Sequence, residues 1–230
     1  MTNLTGGTSA APGYIRSFQR TRRSEVPPIE LVLVRHGQTA WNALRRFQGQ
    51  TDVPLDDFGR AQARMLADYL RKFPIARAFS SDLSRARETA EIILAGRDVP
   101  LVLEPRLREM RFGDWEGLDW AQIRERYPQL PEAGWANPRE YTPAGGERFE
   151  DVHRRVREVI AAIRDQLGAD DRGLIVTHAG ILHSIMHVLK PSGIPPLRIR
   201  FQPASVTRIR VDQDGAELAT LNEYPVGWRS

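Results

Sequence analysis

The 230-residue chain has no cysteine. That excludes disulfide scaffolds, thiolate metal sites and cysteine nucleophiles. Long apolar runs are also missing, and with a mean hydropathy of −0.44 the chain is not an integral helical membrane protein. Lysine is almost absent: of 33 basic side chains only Lys72 and Lys190 are lysine, which leaves 31 arginines. The arginines lift the isoelectric point to 9.8, although 29 acidic residues hold the net charge at +4. So small a charge, without a basic stripe interleaved with aromatics, argues against nucleic-acid binding. It fits a pocket in which a few arginines hold a small anion. Five histidines remain as the side chains that titrate near neutrality.

The length suits one large domain. Residues 1–28 read as a disordered tail: the first thirteen are mostly Thr, Gly, Ala, Ser and Pro, and the rest carry arginines and end in Pro27-Pro28. No apolar signal core follows, so a cytoplasmic location is expected. The domain is expected over 29–230. It opens with Leu31-Val32-Leu33-Val34, a run that suits a strand buried on both faces. Further strands are predicted at 77–80, 101–103, 173–177, 198–211 and 217–222. Asp56 is the predicted N-cap of a helix running to Phe73 and stopped by Pro74. Other helices are predicted over 83–94, 119–126, 149–167 with Gly168 just beyond its end, and 181–189. Residues 111–144, rich in Trp, Pro and Gly, read as a partly irregular lid or insertion. Strands alternating with helices predict an α/β fold, a three-layer sandwich with a mostly parallel central sheet.

Open α/β sheets place their sites beyond the carboxyl ends of the strands. Arg35-His36-Gly37 follows the first strand. Ser80-Ser81-Asp82 follows the second, with Arg85 one helical turn on. His178-Ala179-Gly180 follows the central strand, and Glu109 lies on the loop after the third. Two histidines and two arginines thus converge on one sheet edge. Each signal is weak alone. An Arg-His pair is expected about 0.7 times by chance in this composition, and a following glycine lowers that to about 0.05.

The motifs around these positions are Arg35-His36-Gly37-Gln38-Thr39, Trp41-Asn42, Phe47-Gln48-Gly49, Ser80-Ser81-Asp82-Leu83-Ser84-Arg85, Leu107-Arg108-Glu109, Gly145-Gly146-Glu147 and Val176-Thr177-His178-Ala179-Gly180. In this order the chain resembles the histidine phosphatase superfamily, with its phosphoglycerate mutase-like fold. The resemblance implies that His36 is the nucleophile and forms a phosphohistidine. Arg35, Arg85 and His178 would cradle the phosphate, with His178 protonated beside the bound anion. Asn42 would add a neutral hydrogen bond, and Gln48 and Gly49 correspond to substrate-contacting positions. Glu109 would be the general acid and base, with Glu104 and Asp82 as its rivals. No metal or other cofactor is implied, because His36 and His178 lack a third ligand and the arginines would repel a cation.

The wording of residues 112–117, 135–138 and 143–147 is similar to the α-ribazole phosphatase branch and to broad-specificity phosphatases. The expected function is therefore a metal-independent phosphomonoesterase acting on a small phosphorylated substrate. A phosphoglycerate mutase and a non-catalytic phosphate-binding module stand as alternatives; the moderate length between Gly113 and Gly145 favours the phosphatase. Trp115, Trp120, Trp135 and Tyr141 line the leaving-group side or pack in the core. His153 is expected to be solvated, and no role follows for His183 or His187. No membrane partner is implied, and a homodimer is left open.

Overall fold

The computed structural model describes residues 27–130, 142–193 and 199–224. The expected tail at 1–28 falls almost wholly outside them, as do Trp135 and Tyr141. Among the described residues one six-stranded sheet has the order β3-β2-β4-β1-β5-β6. Its strands are β1 (Ile29–Arg35), β2 (Arg77–Ser80), β3 (Leu101–Leu103), β4 (Arg172–Thr177), β5 (Val206–Val211) and β6 (Ala216–Glu223). The pairs β1–β4, β4–β2 and β2–β3 are parallel, whereas β5 and β6 pair antiparallel. The sheet is mostly parallel, as the sequence predicts.

The helices are α1 (Ala40–Ala43), α2 (Asp57–Leu70), α3 (Ser84–Leu94), α4 (Trp120–Arg126), α5 (Phe149–Arg164) and α6 (Ala179–Leu189). Side chains alternate across a strand, and both faces of the central strands are apolar. Val32, Val34, Leu174 and Val176 meet Leu66, Leu70, Ala86 and Ile93 of α2 and α3. Leu31, Leu33 and Ile175 meet Val156, Ile160, Ile181 and Ile185 of α5 and α6. Helices on both faces make the three layers. A smaller apolar cluster of Trp115, Leu118, Ile123 and Leu130 anchors the segment after β3. No helix among the described residues is long and apolar enough to cross a membrane.

Asp56 caps α2 as predicted, its Oδ1 accepting the Gly59 N–H at 2.7 Å. Three boundaries differ. Helix α2 stops at Leu70, with Arg71 as its C-cap, rather than at Phe73. Helix α5 stops at Arg164, with Asp165 as its C-cap, rather than at Leu167. The predicted strand over 198–211 begins only at Val206. Ala204 there has a left-handed backbone, φ 57°, and Pro203 has no N–H to give to a ladder. The residues before β5 wrap over the end of β1 instead. The Phe201 carbonyl accepts from the Arg35 guanidinium at 2.7 Å, and the Ser205 carbonyl accepts the Arg35 N–H at 3.2 Å.

Candidate active site

The β1–β4 register brings the first two groups together. Arg35 pairs with Thr177, and the ladder runs one residue further, the His36 N–H donating to the Thr177 carbonyl at 2.9 Å. His36 and His178 are therefore neighbours just past the ends of adjacent parallel strands. Their ring centroids lie 5.0 Å apart at 60°. Arg85, in the first turn of α3, is fully buried beside them. Its Nε–H donates to His178 Nδ1 at 3.2 Å. Arg35 and Arg85 line one cleft of about 600 Å³ with His36, Asn42, Gln48 and Glu109.

The tautomers follow from the partners. A carbonyl can only accept, so His36 Nδ1 carries the hydrogen it gives to the Gly37 carbonyl at 2.6 Å. The Nε2 lone pair is then left over. A guanidinium N–H can only donate, so His178 Nδ1 is the bare nitrogen. Its Nε2–H donates to Ser81 Oγ at 2.9 Å. Both rings are buried. Burial first, then Arg85 and Arg35, hold His36 well below the ordinary histidine pKa. Burial and then Arg85 do the same for His178. In this structure both histidines are neutral. The protonated His178 anticipated from the sequence would require Arg85 to release Nδ1.

The two arginines stay charged. Burial lowers the pKa of Arg35 to about 10 and lowers that of Arg85. Arg85 also donates to the carbonyls of Gly49 at 2.7 Å and Thr51 at 2.9 Å. Arg35 keeps a buried Nε–H with no acceptor. Such a donor is costly unless an acceptor completes it, and an anion beside His36 would do so. Asn42 accepts the Thr39 N–H through its side-chain oxygen at 3.2 Å, so its amide NH₂ is not spent on that bond. Gln48 is held at 3.0 Å by the Thr39 hydroxyl.

Glu109 is almost buried and reaches the site from the loop after β3. Its carboxylate accepts the Met110 N–H at 2.8 Å and the Gly180 N–H at 3.1 Å. This docks it on the first turn of α6, next to His178. Gly180 is needed for space: a Cβ there would sit 2.4 Å from Glu109 Oε1. The rivals lie elsewhere. Asp82 is held by Arg108, which lowers its pKa. Glu104 is held by Arg106 in the same way. Neither is among the described residues lining the cleft.

Several supporting residues have no role assigned from the sequence. Glu116 accepts the N–H groups of Gln50, Thr51 and Phe112 at 2.9 to 3.1 Å. It thereby fixes the loop whose carbonyls hold Arg85. Gly49 in that loop has φ 55°, and any Cβ would strike Glu116. It therefore positions Arg85 as well as lining the cleft. Arg155 of α5 donates to the carbonyls of Arg106 and Arg108 at 2.6 and 2.8 Å and pairs with Glu147. It braces the segment that carries Glu109. Only pairing across many residues of chain reveals these roles, and no local pattern announces them. Trp115 is core, whereas Trp120 lines the cleft. His153 is half-buried rather than fully solvated, and stacks on His187 at 4.1 Å. His183 packs edge-on against Phe201.

Comparison with known proteins agrees with this geometry. The family model of the histidine phosphatase superfamily, branch 1, matches residues 31–224. The adenosylcobalamin/alpha-ribazole phosphatase of Salmonella typhimurium is 34% identical over 202 residues, 87% of this chain and 99% of that protein. Phosphoglycerate mutase-like protein 4 of Arabidopsis thaliana is 39% identical over 171 residues, 73% of this chain and 74% of that protein. The structure of Bacillus stearothermophilus YhfR superposes with a TM-score of 0.74 at 38% identity, covering 84% of this chain and 96% of that one. The chain belongs to branch 1 of the histidine phosphatase superfamily and is a hydrolase of the phosphatase class.

Proposed function

We propose that the protein hydrolyses small phosphomonoesters without a metal ion, through a phosphohistidine on His36. The observation that carries the reading is the tautomer of His36. Its Nδ1–H is tied to the Gly37 carbonyl, and its Nε2 lone pair stands in a cleft beside two buried guanidinium groups. In the first step Nε2 attacks phosphorus, and the bond to the leaving oxygen breaks. Glu109 gives that oxygen a proton. Arg35 and Arg85 surround the equatorial oxygens, His178 joins them once Arg85 releases its Nδ1 and the ring takes a proton, and Asn42 adds a neutral donor. Fixed donors of this kind act where charge spreads in the transition state. In the second step Glu109 takes a proton from water, the water oxygen attacks phosphorus and the P–N bond breaks. Neutral His36 and inorganic phosphate result.

The similarity to the Salmonella phosphatase supports α-ribazole 5′-phosphate as one substrate to assay. Replacing His36 by Ala tests the chemistry. Turnover of para-nitrophenyl phosphate should fall by at least about 10³-fold with the thermal melt preserved. The unaltered protein, quenched during turnover, should carry an acid-labile, alkali-stable phosphoryl group that His36→Ala lacks. Steady release of inorganic phosphate marks a phosphatase, whereas phosphate transfer between hydroxyls without release would mark a mutase. An active His36→Ala protein would refute the nucleophile.

A further inference from the structure

The peptide group that fixes the nucleophile is itself fixed. His36 Nδ1–H donates to the Gly37 carbonyl at 2.6 Å. That carbonyl belongs to the peptide unit joining Gly37 to Gln38. The N–H of the same unit, on Gln38, donates to Gln62 Oε1 at 2.8 Å. A main-chain N–H can only donate, so the oxygen of the Gln62 amide must face it. One chain of hydrogen bonds therefore runs from α2 through a peptide plane to the imidazole. The first turn of α2 makes the approach possible. A Cβ on Gly59 would sit 2.1 Å from the Gln38 carbonyl oxygen, and the same oxygen accepts the Asp56 N–H at 3.1 Å. Gln62, one turn beyond Gly59 on the same face, then meets the Gln38 N–H.

Packing alone does not account for a glutamine at this place. Gln62 is 3% exposed, and its Nε2 has no acceptor among the described residues. A buried amide with an unmade hydrogen bond costs stability that a methionine of similar length would not. The oxygen is what the position uses. Gln62 is not among the described residues lining the cleft, so it acts through the peptide. With the plane held, the Gly37 carbonyl stays aimed at Nδ1. An N–H bonded at one end of the unit also makes the carbonyl at the other a stronger acceptor. As Nε2 bonds to phosphorus the ring gains positive charge, and the Nδ1–H bond becomes charge-assisted. That bond is then stronger in the transition state than before attack, which is the condition for raising kcat. We propose that Gln62 is a positioning residue for phosphoryl transfer, keeping the His36 proton on Nδ1 and the lone pair on Nε2 through the Gly37–Gln38 peptide. The inference deepens the phosphatase reading and rests on it.

Gln62→Met and Gln62→Leu each remove the acceptor, and either serves if the other fails to fold. Thr89→Val is the matched control. The Thr89 hydroxyl accepts the Gly37 N–H at 3.1 Å, one peptide unit earlier, and the carbonyl of that unit is not the one His36 uses. Long-range proton–nitrogen correlation of the imidazole reads the tautomer in the substrate-free full chain near neutral pH, where burial keeps this ring uncharged. His36→Ala identifies the signals. The unaltered protein and Thr89→Val should show the Nδ1–H form. In the Gln62 variant the two nitrogen shifts should move toward each other as the Nε2–H form appears. Its kcat on para-nitrophenyl phosphate should fall about tenfold, the scale of losing a group that orients a functional histidine, with KM little changed and the thermal melt preserved. An unshifted tautomer, or an unchanged kcat, would overturn the proposal and leave the phosphatase intact. An equal shift in Thr89→Val would also overturn it, since general loosening after β1 would then be the cause. No turnover of para-nitrophenyl phosphate by the unaltered protein would sink the phosphatase reading itself, and the substrate-free spectrum separates that failure from the others.

Discussion

Arg85, on the floor of the cleft, gives hydrogen bonds to two carbonyls and an imidazole. Arg46, at the mouth, gives no side-chain hydrogen bond among the described residues, yet both carry the same guanidinium into the same cleft. The difference lies in what orders each head before a ligand arrives. On the floor, the loop 49–51 is locked by Glu116, and its carbonyls lock Arg85 in turn. Such a cation meets a developing phosphorane without reorganising. At the mouth, a partly solvated arginine keeps its rotamer freedom and gives up about 0.5–1.5 kcal/mol of it on binding. One guanidinium is thus fixed before a ligand arrives and the other is not.

The comparison breaks most readily at Arg85. Arg85→Lys keeps the charge but replaces a fork with one compact ammonium. It cannot serve both carbonyls, His178 and a phosphate oxygen together. A loss of about 10²–10³ in kcat is expected, measured on para-nitrophenyl phosphate, with Arg46→Lys losing far less. Similar losses in the two variants would abolish the distinction between floor and mouth.

Gly180→Ala sharpens it by disturbing the floor without touching a charge. The added Cβ would meet Glu109 Oε1 at 2.4 Å and push the carboxylate off the first turn of α6. A kcat decrease of about 10- to 100-fold is expected, smaller than removal of the general acid itself, with KM little changed. A poor leaving group such as an alkyl phosphate should suffer more than para-nitrophenyl phosphate. An equal loss for both would place the fault elsewhere.

The smallest effect concerns stability. His36 and His178 are neutral in the folded protein because burial depresses their pKa values. Below pH 6.5 the unfolded chain binds protons that the folded chain does not. Stability is therefore full above 6.5 and falls as the pH drops beneath it, by about 1.4 kcal/mol per pH unit for each histidine. Asp82 and Glu104, whose pKa values are lowered by Arg108 and Arg106, add losses only below the ordinary carboxylate range. Urea melts between pH 7 and 5 isolate the histidines. A flat profile there would mean that both imidazoles are already charged on folding, and half the slope that one of them is.

Much of this was legible in the sequence because it is local. A continuous apolar run followed at once by Arg-His-Gly fixes both the strand and what stands at its end. Asp56 caps α2 through an oxygen three residues from its donor. Glu116 and Arg155 were not legible, because what they hold lies far away: Glu116 reaches Gln50 across 66 residues, and Arg155 reaches Arg106 across 49. The strand predicted over 198–211 failed for a related reason. Its first half has the apolar content of a strand, but the end of β1 takes its carbonyls instead.

The amino-acid order alone determined the α/β class, the sheet's buried strands and the identity of the groups at their carboxyl ends. Those depend on periodicity and on neighbours along the chain, where propensity and burial act directly. Only the tertiary structure decided which nitrogen of His36 is free, that His178 is neutral, and that one set of arginines is locked while another is not. Those outcomes are set by hydrogen-bond partners and desolvation, which exist only once distant segments have closed around the same few ångströms.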